Sequence, residues 1–328
     1  MMRELIAGFA DQIDHAVSIA VNTRFQNTGD GIQNVVVTGL GGSGIGGKII
    51  AQLVQDSARV PISINNDYLL PAFVSEKSLV VVSSYSGNTE ETVAAMKEAL
   101  RRGARVACIT SGGEVAQLAA KHKLDVVSIP GGQPPRSQFG YSAMSLLRIF
   151  DAYGISSNCF DGAEKLGAFI RKHSAENEAK AKEIAGEMDQ RIPIIYAESR
   201  NEGIAIRWRQ QINENSKQLC WHHVYPEMNH NELVGWEGGD HRFVVLMLRS
   251  DDDHPRSVAR MNITEPMMAD RGARIVNILA GGKNRLERSF DLIHLGDWLS
   301  LILAEKNTID PVSIVAIDYL KNALSTLK

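Results

Sequence analysis

Two stretches of the chain concentrate residue types that can hold a phosphate without a lysine. The first is Gly39-Leu-Gly-Gly-Ser-Gly-Ile-Gly-Gly-Lys48, with six glycines, directly after a β-prone apolar run and before an apolar helical one. A strand, a glycine turn and a helix start leave free N–H groups at a positive dipole end, which stabilises an anion. The second is Val82-Ser-Ser-Tyr-Ser-Gly-Asn-Thr-Glu-Glu-Thr92, which places Ser84, Ser86 and Thr89 where a third strand gives way to a helix. Hydroxyls and helix N–H groups are neutral donors that turns can aim at a monoester.

Each loop alone has rival readings. Gly39, Gly41 and Gly44 satisfy G-x-G-x-x-G and Asp67 follows the second strand, so a dinucleotide site and a nicotinamide oxidoreductase stay open. Gly42 to Lys48 approaches a P-loop, but Ile49 cannot supply the hydroxyl that such a loop places on magnesium. A tight turn without a ligand explains one or two glycines. Helix capping by Asn88 with Glu91 explains one or two of the hydroxyls. Neither explains both hydroxyl-rich loops together, side by side at the carboxyl edge of a parallel sheet, where ligands bind.

Other residues carry chemistry only in company. Glu214, in Ile212-Asn-Glu-Asn-Ser-Lys217, is alone an ordinary solvated helix glutamate, and Arg136 after Gln133-Pro-Pro is alone a surface arginine. Lys321 shares a helix side with Ile314 and Ile317, either snorkelling from a packed face or reaching into a pocket. His222, His223, Glu227 and Glu232 match no recognised metal spacing, so no metal is expected.

The elements that must position these groups alternate. Runs at 34–38, 61–64, 79–83, 105–110 and 125–129 are apolar on both faces and separated by amphipathic segments, the pattern of a covered parallel sheet. The same alternation restarts near residue 192 after a charged helical stretch, so the fold class is α/β, with two tandem α/β/α sandwich units. The expected divisions are an N-terminal helix at 1–30, a first unit at 31–155, connecting helices at 156–190, a second unit at 191–310 and a C-terminal helix at 311–328. Asp310 is the expected cap of that last helix and Pro311 its first residue. With 35 basic and 38 acidic side chains in 328 residues, no basic stripe for nucleic acid and no polybasic membrane anchor is expected. No apolar stretch reaches the roughly 18 residues of a membrane span. Three cysteines at unrelated spacings point to a reducing, cytoplasmic compartment.

Gly41-Gly-Ser-Gly with Ser84-Tyr-Ser-Gly-Asn-Thr-Glu-Glu-Thr92 resembles the sugar-isomerase (SIS) fold, whose members bind a sugar phosphate through the serine/threonine loop. The added motifs Gln133-Pro-Pro-Arg136, Ile212 to Lys217, Pro226-Glu-Met-Asn-His-Asn-Glu-Leu-Val-Gly-Trp236 and Asp310 to Lys321 resemble the bifunctional phosphoglucose/phosphomannose isomerase family over essentially the whole chain. That resemblance implies an aldose–ketose isomerase acting on glucose 6-phosphate, mannose 6-phosphate and fructose 6-phosphate through a cis-enediol, with no cofactor. It implies Glu214 as base, Arg136 beside the enediolate, His230 in ring opening with Lys321 as its partner, and Gly42, Ser43, Ser84, Ser86 and Thr89 around the phosphate. It further implies a homodimer in which His230 enters the partner's pocket. Ile314 departs from the threonine common in the family, which weakens the expectation for the mannose epimer. A non-catalytic SIS protein that senses a phosphosugar is the alternative.

Overall fold

The computed structural model describes residues 1–27 and 29–326; residues 28, 327 and 328, which fall in the expected first and last segments, lie outside it. In chain order the elements are α1 (Met2–Ala7), α2 (Phe9–Asn22), β1 (Asn34–Thr38), α3 (Gly41–Leu53), β2 (Ile62–Asn65), β3 (Ser78–Ser83), α4 (Glu90–Arg101), β4 (Arg105–Thr110), α5 (Gly113–His122), β5 (Asp125–Ser128), α6 (Phe139–Ala152) and α7 (Ala163–Met188). The second unit follows as β6 (Ile192–Glu198), α8 (Glu202–Ser216), β7 (Trp221–Tyr225), α9 (Glu232–Gly235), β8 (Phe243–Arg249), α10 (Pro255–Ala269), β9 (Arg274–Leu279), α11 (Arg285–Lys306) and α12 (Val315–Ser325).

Both sheets are parallel, in the orders β2-β1-β3-β4-β5 and β7-β6-β8-β9. The apolar runs cover both faces because successive side chains point to opposite sides. Val35, Val37, Leu79 and Val81 enter the central core, whereas Val36, Val80 and Val82 pack under α4 and α5 with Val93 and Met96. In the second sheet Ile195, Ala197, Val244 and Leu246 enter that same central core, and Tyr196, Val245 and Met247 face Met261 and Met268 of α10. One continuous core therefore joins the two units through α3, α6, α7, α8 and α11.

Helix α8 is the pivot. Its start meets the end of α3, where the Gly203 N–H donates to Gln52 Oε1 at 2.7 Å. Its middle is locked by Trp208, whose indole N–H donates to the Leu292 carbonyl at 2.8 Å. The indole lies over Gly296, where a Cβ would stand 2.3 Å from Nε1.

Three sequence expectations change. The N-terminal segment is two helices broken at Gly8, and the connection between units is one helix, α7, rather than a pair. The last helix begins at Val315 and not at Asp310, whose carboxylate instead accepts from the Val312 N–H at 2.9 Å in a local turn. Ile314 is thus the cap of α12, so its expected alignment with Lys321 along a helix is lost; Ile317, one turn from Lys321, stays on its side. Apolar Val315, Tyr319 and Leu320 of this helix are each more than half exposed.

Replacing Gly296 by alanine should overpack the α8–α11 contact and lower unfolding free energy by about 1–3 kcal/mol, read from urea denaturation.

Candidate active site

The carboxyl ends of β1 and β3 bring the two loops together. Glycine is required where backbones touch: a Cβ on Gly39 would lie 2.5 Å from the Ser83 carbonyl oxygen, and one on Gly44 would lie 2.4 Å from that of Gly39. Ser43 stitches the loops, its Oγ accepting from the Tyr85 N–H at 3.0 Å while its carbonyl accepts from the Ser83 hydroxyl at 3.0 Å. Ser84 donates to Thr89 Oγ1 at 3.3 Å and accepts from the Gly87 N–H at 3.2 Å; Ser86 Oγ accepts from the Asn88 N–H at 3.3 Å. Among the described residues these bonds use lone pairs of Ser43, Ser86 and Thr89, which leaves their hydroxyl hydrogens as donors to an anion.

The helix-capping alternative for this loop fails. Thr89, not Asn88, stands at the N-cap position of α4 without a side-chain capping bond, and the Asn88 side chain reaches across to accept from the Glu114 N–H at 3.0 Å, bracing α5.

Arg136 rises beside the first loop in a single 3-10 turn, Pro135–Ser137. The turn lies so close that a Cβ on Gly42 would stand 2.8 Å from its N and 2.9 Å from its Cα. Far from being a surface arginine, the residue is 4 % exposed. Its Nε donates to Asn215 Oδ1 at 2.7 Å, one terminal nitrogen donates to the Pro311 carbonyl and to that of Val312 at 3.4 Å, and the other lies 3.3 Å from Glu214 Oε2. Burial pulls the guanidinium below its usual pKa, opposed by Glu214 and Asp310. These carbonyl contacts hold residues 311–312 in a bend outside the helix, which is why α12 starts later than its cap signals indicate.

Glu214 sits in the last turn of α8 with its side chain 28 % exposed. Its neighbours do not orient it: Asn213 donates to the Gln218 carbonyl, Asn215 faces Arg136 and Ser300, and Ser216 donates to the Ser300 carbonyl. Arg136 is the group against its carboxylate. Lys217, left-handed at the helix end, donates to the Glu214 and Asp310 carbonyls at 2.7 and 2.9 Å, and burial with the nearby Arg136 lowers its pKa. Arg136 and Glu214 are thus brought together beside Gly42 and Ser43. His230 and Lys321 are not; both are exposed, and among the described residues neither bonds to Glu214, Arg136 or the loops. His230 ends a short 3-10 turn after β7.

Sequence reasoning missed Lys217 and the Pro311 and Val312 carbonyls. No residue type announces a main-chain acceptor, and Lys217 was visible only as the end of a motif. Glu232, weighed for a metal, is engaged by Tyr196 and by the Trp221 indole at 3.1 Å, and Glu227 by Asn231 at 3.0 Å. Among the described residues no three His, Cys, Asp or Glu converge.

Residues 32–140 match the model of the SIS domain and residues 177–324 that of the bacterial phospho-glucose isomerase C-terminal SIS domain. A protein of Caldicellulosiruptor bescii named bifunctional phosphoglucose/phosphomannose isomerase is 39 % identical over the whole of both chains. This chain belongs to the bifunctional phosphoglucose/phosphomannose isomerase family. A second relative of the same name, from Aquifex aeolicus, is 35 % identical over 89 % of this chain and 90 % of its own. The C-terminal domain of glucosamine-fructose-6-phosphate aminotransferase from Francisella tularensis superposes with a TM-score of 0.75 at 12 % identity, covering 95 % of this chain and 98 % of that one. At that identity the likeness is one of fold: two SIS units in tandem. For a phosphoglucose/phosphomannose isomerase family member, the two loops and the Arg136–Glu214 pair lie at the carboxyl edge of the first SIS sheet, with Glu214 supplied by the second unit.

Substituting Gly42 by alanine should push the Arg136 turn away from the loop and reduce turnover of hexose 6-phosphate about 100-fold in a coupled assay, with the circular dichroism spectrum unchanged.

Proposed function

We propose that this protein interconverts glucose 6-phosphate with fructose 6-phosphate, and mannose 6-phosphate with fructose 6-phosphate, by proton transfer between C1 and C2. The reading is carried by one observation: a carboxylate and a buried guanidinium in contact, next to two loops of neutral donors, in a chain aligned end to end with a relative named for this reaction. The Gly42 N–H and the hydroxyls of Ser43, Ser86 and Thr89 hold the phosphate, with Ser84 donating to Thr89 Oγ1 and so aiming the threonine hydrogen at it. The open-chain sugar then extends toward α8. Glu214 takes the C2 proton of the aldose and returns it to C1 while the hydroxyl proton passes from O2 to O1, so the electron pair moves through a cis-enediol and the carbonyl moves from C1 to C2. Arg136 stands where negative charge develops on the enediolate oxygen and stabilises it without reorganising. A carboxylate and a fixed cation are sufficient for this chemistry, so turnover should survive EDTA.

The substrate arrives mainly as a closed hemiacetal. His230, whose imidazole can both give and take a proton, passes one between the ring oxygen and the C1 hydroxyl, with Lys321 as its partner. Both act in a homodimer, His230 reaching the pocket of the other copy. Exposed Val234 near His230, exposed Leu69 and Phe73 after β2, and the exposed apolar side of α12 support such an assembly. Ile314, at the end of the segment held by Arg136, brings no hydroxyl, so glucose 6-phosphate is the better aldose. Three free cysteines support a reducing cytoplasmic setting, and among the described residues no helix is long and apolar enough to cross a membrane.

Glu214→Gln should lower kcat by about 10³-fold while leaving calorimetric affinity for the sugar phosphate within a few-fold. An unchanged rate would leave only a phosphosugar-binding protein. Mixing Glu214→Gln with His230→Ala subunits should restore about a quarter of wild-type turnover, because half of random dimers are mixed and each holds one complete site. No recovery on mixing would place His230 in its own subunit's site or outside catalysis.

A further inference from the structure

We propose that Asp297, on α11, is a positioning residue for the isomerase site, acting through Arg207 to hold Arg136 against Glu214. This rests on the isomerase reading above. Both oxygens of the Asp297 carboxylate are taken by donors of α8: Oδ2 by Arg207 at 2.7 Å and Oδ1 by Gln211 Nε2 at 2.7 Å. Arg207, Gln211 and Asn215 are spaced four apart and share one helix face. Asn215 continues the line, donating to Ser300 Oγ at 2.9 Å, and that hydroxyl donates to the Asp297 carbonyl at 2.8 Å. α11 therefore grips α8 along the face that ends beside Glu214.

Arg136 is held twice by this same assembly. Its side-chain Nε donates to Asn215 Oδ1, and its main-chain carbonyl accepts from Arg207 at 3.1 Å. The Arg207 guanidinium also lies 4.7 Å from the ring centre of Phe139, three residues after Arg136, so it underlies the whole turn that carries the cation. Arg207 is 2 % exposed and Asp297 4 % exposed. A pair of charges so deeply buried is a poor source of stability, since apolar residues of similar volume often serve as well or better. What such residues could not do is direct a donor at the Arg136 carbonyl while referring both ends of that residue to one carboxylate. An arginine displaced by ~1 Å from a developing enediolate costs about 100-fold in rate.

Asp297→Asn keeps the shape but sets an amide N–H against one donor and leaves Arg207 unneutralised. We expect kcat to fall about 100-fold with KM for hexose 6-phosphate within about threefold, because the phosphate loops do not contact Asp297. The paired variant Arg207→Met with Asp297→Leu removes both buried charges; it should melt within a few degrees of wild type yet keep the kcat defect. Wild-type kcat in that well-folded variant would overturn the proposal. In an Arg136→Gln background, Asp297→Asn should cost less than about threefold more, and a full multiplicative loss would also overturn it. A readout free of turnover separates this proposal from the isomerase reading. The Arg136 Nε–H, buried against Asn215, should exchange with water about tenfold faster in Asp297→Asn, followed by nitrogen NMR. Unchanged exchange refutes the positioning role whatever the wild type turns over; absent wild-type turnover with altered exchange refutes the isomerase reading alone.

Discussion

A guanidinium withdrawn from water beside a carboxylate is the interaction around which this protein is arranged. Arg136 belongs to the first unit and Glu214 to the second, so their contact is also the junction between the units. Burying a cation is costly unless every donor finds an acceptor. Here the acceptors are the Asn215 amide, the carbonyls of Pro311 and Val312, and Glu214 itself. That demand reaches outward: it keeps 311–312 out of the helix, it requires the bare backbone of Gly42 beside the arginine, and it ties the root of α12 to the site.

The two sheets have the same topology at their centres but use their carboxyl edges differently. At the first, Gly41 and Gly44 line a cleft and the hydroxyls of Ser43, Ser86 and Thr89 keep hydrogens to donate. At the equivalent edge of the second sheet, carboxylates line the crevice and are satisfied by backbone N–H groups and arginines. Glu198 accepts from the Arg200 N–H at 2.8 Å, Asp252 is paired with Arg285 and Arg288, and Asp253 accepts from the Ser250 N–H at 2.8 Å. Burial, with help from Glu198, pushes the Asp253 carboxyl up to about 6. On the proposed isomerase reading the second unit serves the site through the far end of α8, not through its own crevice. A phosphate needs open donors and a base needs a fixed platform, and the duplicated architecture provides one of each.

Helix α12 and the His230 turn stand outside this economy. Within one chain their apolar residues are exposed, and neither His230 nor Lys321 meets the groups with which the family motif associates them. The hydrophobic effect disfavours leaving Val315, Tyr319, Leu320 and Val234 in water together. A second copy that covers them would remove that cost and carry the histidine and lysine to a sugar in one event.

By itself the sequence determined the parallel sheets, because runs such as Val35–Val37 and Leu79–Val82 have no polar face to turn outward. It also determined the two donor loops, since six glycines and three clustered hydroxyls have little use in a packed core, and through its motifs it singled out Glu214 and Arg136. Tertiary structure alone decided what these groups touch. Asn88 reads as a helix cap but braces α5, and Asp310 and Pro311 read as a helix start but lie in a turn before the helix. Asn213 and Asn215 flank Glu214 in sequence and face elsewhere. For Asn88, Pro311 and Asn215 a local hydrogen bond competed with one to a residue distant in sequence. The distant partner won where burial left a charge or a carbonyl that nothing nearby could satisfy. Spacing along a chain reports local geometry, and it carries no record of which buried group will need an acceptor from the other half of the molecule.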